Sequence, residues 1–176
     1  MLDLPKDSAL QAKWSPAPDW KTAALHRDGW TARPLAGLSR FLVSGDLDAA
    51  RARIAPDATE VGLGAVATSL PVLARIAPDR ALFVLENAPE IVPGWHDGVA
   101  VTPADSLYAA FALEGSLVRE VLREATAAPL DGSSRSAALL FAGLPALLFR
   151  LNETVYIHLE APLATALWRW LETRPD

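Results

Sequence analysis

A stretch near the carboxyl end of the sequence, residues 144–172, carries its clearest structural pattern. Apolar and polar residues alternate over 154–160 and again before Asn152, which is the period of half-buried strands joined by a short polar turn. The alternation predicts that the polar set, which includes His158, faces solvent. Pro162 then suits the first turn of a helix, and apolar residues follow at helical spacing. The stretch therefore predicts a β-hairpin followed by an amphipathic helix.

The same order of elements is predicted twice along the chain. Residues 38–55 predict a strand, a glycine turn and a helix capped by Asp46. Residues 107–125 predict a strand, a glycine turn and a helix capped by Ser116. At an offset of 70 positions the two segments share four residue types, namely Phe41, Gly45, Leu47 and Arg53 in the first and Phe111, Gly115, Leu117 and Arg123 in the second.

A proline-bracketed hairpin follows each predicted helix. Residues 70–89 and 144–162 share a Leu-Pro entry, two strands around a turn and an Ala-Pro exit. In the first of them, Pro78-Asp79 suits the central positions of a type I turn. We therefore predict an α+β fold made by pseudo-twofold duplication of a strand-helix-strand-strand unit. Coincidence between apolar strands in a hydrophobic chain is the alternative.

Proline and glycine set the predicted boundaries of these units. Pro16 and Pro18 restrict the backbone near the amino end to extended geometry, and Pro-Gly and Asp-Gly pairs break the chain between the two units. The predicted organisation is one compact domain with an extended arm over 1–34, a first repeat over 35–90, a linker over 91–105 and a second repeat with the closing helix over 106–176.

Four tryptophans are candidate contacts with another chain. Trp14 and Trp20 lie on the predicted arm, where they either fold back onto the core of the domain or dock on a partner, because aromatic anchors are favoured at interfaces. On the closing helix, Trp170 belongs to the apolar stripe and Trp168 lies about 160° around from it. One of these two is therefore expected to face outward.

Composition argues against several classes of function. The 176 residues carry a net charge of −5 with scattered Lys and Arg, so no basic face for a nucleic acid is predicted. The absence of cysteine removes thiolate metal sites and cysteine nucleophiles. The longest apolar run, residues 137–149, falls short of the roughly 20 residues that cross a bilayer. With no secretory pattern at the start, we expect a cytoplasmic protein with no membrane contact.

Inspection of motifs yields no catalytic constellation. The histidines are too far apart in sequence for a helical metal pair; they are His26, His96 and His158. Gly62-Leu63-Gly64 lacks the third glycine of a dinucleotide fingerprint, and no serine lies in a nucleophile elbow. The loop over 129–135 could hold an anion, but it has no phosphate-loop spacing. We assign no catalytic residue and no metal ligand, and residues that bind a cofactor stay unassigned.

Residues 36–173 resemble the gamma subunit of heterotetrameric sarcosine oxidase, which is itself similar to the folate-binding domain of the glycine-cleavage aminomethyltransferase. The resemblance rests on the segment 136–172 and on the strand, turn and strand of residues 70–84, where Ala77 stands in place of the usual glycine. It implies an aminomethyltransferase-like fold and a subunit that is not itself catalytic. The linker, in contrast, lacks the helical pattern that the resemblance predicts there.

The resemblance also implies a place in sarcosine catabolism and one-carbon metabolism. In such oxidoreductase complexes FAD, FMN, NAD and tetrahydrofolate belong to larger flavoprotein subunits, which are the expected partners of this chain. The chain itself is expected to hold no cofactor. Two alternatives stay open. One is a free-standing folate-binding aminomethyltransferase-like protein, which needs a carboxylate in a central pocket; the other is a self-associating structural domain.

Overall fold

The computed structural model describes residues 17–130 and 134–174, and this part of the chain forms short helices and two β-sheets. In chain order the elements are β1 (Leu25–Arg27), β2 (Trp30–Pro34), β3 (Ser39–Gly45), α1 (Leu47–Ile54), β4 (Thr59–Val61), β5 (Val66–Ala67), β6 (Val72–Ala77), β7 (Arg80–Leu85), β8 (Gly94–His96), β9 (Val99–Pro103), β10 (Tyr108–Glu114), α2 (Val118–Ala125), β11 (Ala138–Phe141), β12 (Leu144–Leu151), β13 (Thr154–Glu160) and α3 (Ala164–Glu172). A 3-10 turn, Ala161–Leu163, leads into α3.

The strands form two sheets, and their strand orders correspond when one of them is read in reverse. Sheet A has the order β1-β2-β10-β13-β12-β11, with β5 added in parallel beside β12. Sheet B has the order β4-β6-β7-β3-β9-β8. With three α-helices among the described residues, the fold is mixed α+β, which confirms the α+β part of the predicted fold class.

The core is layered as helix, sheet, sheet and helix. One apolar cluster joins sheet A to α2 and α3, and a second joins sheet B to α1. A third cluster lies between the sheets and contains Leu82 and Val84 from sheet B with Leu147 and Phe149 from sheet A. Residues of the central strands therefore face packed layers on both sides.

Within the described part of the chain, no helix combines the length and the apolar character that a membrane crossing needs.

The local predictions for the first helix and for both proline-bracketed hairpins are confirmed. Asp46 caps α1, because its Oδ1 accepts the N–H groups of Asp48 and Ala49, each at 3.0 Å. The hairpins are β6–β7 and β12–β13. The buried residues of α2 are Val118, Val121, Leu122 and Ala125.

The cap predicted for α2 is wrong. The residue that precedes the helix is Leu117, which makes no side-chain capping hydrogen bond, and Ser116 lies one position further out. Gly115 has a φ of +128°, so the chain turns there and the serine side chain falls outside the capping position.

A hairpin crosses from each half of the chain to the sheet of the other half. The hairpin β1–β2 pairs with β10 in sheet A, and β8–β9 pairs with β3 in sheet B. The registers match, since Pro34 lies opposite Phe111 and Pro103 lies opposite Phe41. Thus strands occur within the ranges predicted as an extended arm and a linker, while residues 1–16 lie outside the described residues.

Candidate functional site

A polar cluster interrupts the apolar layer between the sheets, with His158 at its centre. This residue lies on β13, opposite Ala110 of β10 and Leu147 of β12, and it is fully buried. Its ring stacks on Phe149, with centroids 5.4 Å apart and planes 17° apart. The prediction that His158 faces solvent is wrong, because sheet B covers the face of β13 that its polar residues occupy.

The imidazole of His158 is held neutral. Neither ring nitrogen has a hydrogen-bond partner among the residues that the structure describes. Burial lowers the pKa of His158 to about 3, and the positive charge of Arg40 acts in the same direction. At neutral pH the ring can therefore donate one hydrogen bond and accept another.

Arg40 brings a buried positive charge into the same layer from β3. The residue is 5% exposed, and its Nη1 donates to the carbonyl oxygen of Leu38 at 3.5 Å, whereas its Nε has no partner in the described part of the chain. The backbone N–H of Arg40 donates to Oδ1 of Asp105. Burial lowers the pKa of the Arg40 guanidinium, and the charge of Asp105 opposes that effect.

Three cavities meet at Tyr108. A cavity of about 420 Å³ connects Tyr108 with Arg40, and one of about 200 Å³ connects it with His158. A third, of about 540 Å³, shares Arg80 and Glu160 with the second. Burial raises the pKa of the Tyr108 phenol, an effect that Arg80 opposes and Glu160 supports.

The chemistry of this cluster suits binding better than catalysis. The neutral imidazole, the buried guanidinium and the phenol can hold a polar molecule through hydrogen bonds. Asp105 is already engaged by the backbone N–H of Arg40, so its carboxylate acts as a structural acceptor. No group of three or more His, Cys, Asp or Glu side chains in residues 17–130 and 134–174 is placed to hold a metal ion.

The structure packs three of the four predicted interface tryptophans against their own chain. The half-buried Trp20 meets Phe111 and Trp168 edge to face, with centroid distances of 5.6 and 5.8 Å. Trp168 is only 2% exposed, so the predicted orientation of this side chain is corrected. Trp170 is half-buried against Phe141, with Arg174 over its ring at 4.4 Å. Trp14 lies outside the described residues.

The buried stripe of α3 explains the place of Trp168. It consists of Ala164, Leu167, Trp168 and Leu171, so Trp168 lies on the buried face of the helix and Trp170 lies beside that face. The interface role of the four tryptophans stays a prediction. For the three described ones, however, most of the indole surface already packs within the chain.

Sequence reasoning missed Arg40 and Tyr108. A signal for Arg40 was present, since a charged residue directly precedes the apolar run Phe41-Leu42-Val43 of a predicted strand. His96, in contrast, lies on β8 with its Nε2 3.4 Å from the carbonyl oxygen of Pro93.

The fold and the buried cluster define the chain as a two-sheet α+β domain with a polar centre. Comparison with models of protein families finds no match, and neither does comparison with curated proteins. Among solved structures, the chain is similar to a chain of the heterotetrameric sarcosine oxidase from Corynebacterium sp. U-96 in complex with pyrrole 2-carboxylate, with 17% identity and a TM-score of 0.54. The match covers 82% of this chain and 83% of that chain, so the two have nearly the same length and a common fold.

Proposed function

We propose that this chain is a non-catalytic, gamma-like subunit of a sarcosine oxidase type complex in the cytoplasm. The proposal is carried by the coverage of the fold match, which is 82% of this chain and 83% of the other. The common fold therefore spans most of both chains. The complex demethylates sarcosine oxidatively and passes the one-carbon unit to tetrahydrofolate, with FAD, FMN, NAD and folate on the larger flavoprotein subunits.

The same proposal includes the origin of the fold by duplication, in an arrangement similar to the aminomethyltransferase folate-binding domain. Its support is the matched pairing of the two sheets, in which Phe41 lies opposite Pro103 and Phe111 lies opposite Pro34. In each half, a hairpin precedes the strand-helix-strand-strand unit. Exchange of these hairpins between the halves makes one inseparable domain.

The state of the buried cluster favours a non-catalytic role. A general base works best with a pKa near the operating pH, whereas the pKa of His158 is lowered to about 3. The carboxylate of Asp105 is engaged by the backbone of Arg40. Neither group is therefore suited to acid–base chemistry at neutral pH, which the proposal leaves to partner subunits.

Co-expression tests the subunit role directly. A purification tag on this chain, expressed together with the larger subunits of a sarcosine oxidase type complex, is expected to recover those subunits with flavin absorbance and sarcosine-dependent oxidase activity. The control is the tag on the larger subunits, which should recover this chain in return. The proposal is contradicted if the tag on this chain recovers this chain alone, free of flavin, and the tag on the larger subunits recovers them without this chain.

The cavities around Tyr108 favour a second candidate function, a free-standing folate-binding aminomethyltransferase-like protein. Calorimetric titration of the purified chain with tetrahydrofolate distinguishes it, with Tyr108→Phe as the matched variant. Saturable binding that the variant weakens supports this second function, and no saturable binding at millimolar ligand removes it. Self-association is the remaining alternative. Light scattering that shows a monomer at all concentrations would contradict it.

A further inference from the structure

Trp95 is the most exposed large apolar side chain in the described part of the structure. It is 68% exposed, and Val92, three positions earlier, is 66% exposed. Trp95 lies on β8, the edge strand of sheet B. Large apolar side chains in contact with solvent at one place commonly mark an interaction site, and an indole is among the side chains that anchor interfaces most strongly.

The hairpin itself does not require this indole. Trp95 lies opposite Ala100 of β9, and because side chains alternate along a strand it projects from the face opposite Val99 and Val101, which pack towards α1. The matching hairpin β1–β2 carries the exposed His26 at the corresponding place. Since the fold accepts a polar residue there, packing does not explain the tryptophan.

Exposed carboxylates surround this apolar feature in the chain. Glu90 and Asp97 are both exposed, and the segment 88–98 contains no Lys or Arg. The segment therefore presents negative charge beside an indole. A complementary surface offers an apolar pocket for the ring and Lys or Arg side chains at its margin.

We propose that four side chains, together termed the Trp95 surface, dock this chain on a basic surface of a larger subunit; they are Val92, Trp95, Glu90 and Asp97. The inference rests on the proposed function and names the contact within it. A second copy of the chain fits less well. In a symmetric dimer the same patch meets itself, and the acidic residues then oppose one another.

The experiment uses the complete complex and three variants of this chain. Trp95→Ala removes the anchor. The double variant E90Q/D97N removes the charges, and asparagine suits position 97, where φ is +50°. Leu140→Ala is the matched control, because Leu140 is 62% exposed on β11 of the other sheet. The dissociation constant of each tagged variant from the purified larger subunits is measured at low and high salt.

The expected result is a loss of affinity of about tenfold or more for Trp95→Ala, as for an anchor residue at the centre of an interface. The double variant should bind more weakly at low salt and lose most of the salt dependence. Leu140→Ala should bind as the wild type does. Thermal unfolding of every isolated variant should match that of the wild type, which shows that the changes act on the contact.

The outcomes distinguish a failure of the Trp95 surface from a failure of the proposed subunit role. If the wild type binds the larger subunits and both surface variants bind as well as the wild type, the proposal of the Trp95 surface is wrong and the proposed function stands. If the wild type recovers no larger subunit, the proposed function fails and this inference fails with it. If sedimentation shows a dimer that Trp95→Ala abolishes, the Trp95 surface contacts a second copy of this chain and the assigned partner is wrong.

Discussion

The neutral burial of His158 links the stability of the fold to pH. Unfolding exposes the ring and returns its pKa from about 3 towards the ordinary value of 6.5. Between these values the unfolded chain binds a proton that the folded chain does not, so the free energy of unfolding falls as the pH decreases. Arg40, which faces the ring, and Arg80 and Glu160, which line the same cavity, are the charged groups around it.

Replacing His158 by leucine should remove this acid sensitivity. The wild type is expected to lose about 1.4 kcal/mol of unfolding free energy per pH unit from this residue below roughly pH 6.5. His158→Leu should show a shallower fall between pH 6.5 and 5, and it also removes two buried nitrogens that have no partner among the described residues. Urea denaturation at a series of pH values measures the effect. His26→Leu, at an exposed site, is the control and should keep the wild-type slope; equal slopes for all three proteins would contradict the expectation.

His158 shows what alternation along a strand can and cannot predict. The pattern over β13 correctly predicts a strand and its two faces. It carries no information on how many layers the domain has, and the polar residue type suggested solvent for a face that sheet B in fact covers. The burial of Arg40 has the same cause, because a charged residue beside an apolar run becomes buried only when a second sheet lies above it.

The two repeated helices start differently, although their sequence patterns look alike. Asp46→Ala should destabilise the protein by about 1 kcal/mol, since Asp46 accepts N–H groups from the first turn of α1. Ser116→Ala should change stability by less than about 0.5 kcal/mol, because no side-chain cap is present at α2. Chemical denaturation of both variants measures the difference. An equal loss for both would mean that Ser116 caps α2 after all.

The crossing hairpins approach the start of each helix at a glycine. A Cβ atom added to Gly45 would lie 2.1 Å from the carbonyl oxygen of Gly98, and one added to Gly115 would lie 2.3 Å from that of Gly29. Both glycines also have a positive φ, +111° and +128°. The backbone N–H groups of Asp46 and Leu117 donate to the same two carbonyls, so each contact holds a crossing hairpin against the beginning of a helix.

An alanine in place of Gly45 or Gly115 should therefore lower the unfolding free energy by more than the backbone strain of a positive φ alone. We expect Gly45→Ala and Gly115→Ala each to lower the unfolding free energy by about 2–4 kcal/mol. Gly37→Ala is the matched control, since Gly37 also has a positive φ but nothing lies within 4 Å of the added Cβ. It should cost only about 1 kcal/mol. Equal losses at all three positions, measured by thermal and urea unfolding, would show that the close contacts contribute nothing.

At the scale of elements, the sequence predicts the pairing of strands that are neighbours in the chain far better than the pairing of strands that are far apart in sequence. The hairpins β6–β7 and β12–β13 depend on neighbours in the chain, and their alternation and turns identify them. The pairing of β2 with β10 joins residues that are far apart in sequence, and no local pattern reports it. A signal did exist, because Asp28-Gly29 and Asp97-Gly98 each precede a short run that ends at proline, a spacing typical of a hairpin and its strand.

At the scale of the molecule, the exchanged hairpins and the layer between the sheets make the halves depend on each other. Sheet A takes β1 and β2 from the first half, and sheet B takes β8 and β9 from beyond the first predicted repeat. The central apolar cluster then joins the two sheets. A chain cut between the repeats therefore leaves each fragment with an incomplete sheet and an exposed apolar face.

Cutting the chain after Ala88, in the exposed segment between β7 and β8, should give fragments that fold only together. Fragment 1–88 lacks β8 and β9, which pair with its β3, and fragment 89–176 lacks β2, which pairs with its β10. We expect each fragment alone to lack the native circular dichroism spectrum and the co-expressed pair to copurify with it. Deleting residues 1–34 from the first fragment should greatly reduce copurification, whereas deleting only 1–16 keeps β1 and β2 and should preserve it. Native folding of fragment 89–176 alone would mean that the crossing hairpin is dispensable, because then sheet A forms without β2 and the dependence of the two halves rests on the central apolar layer only.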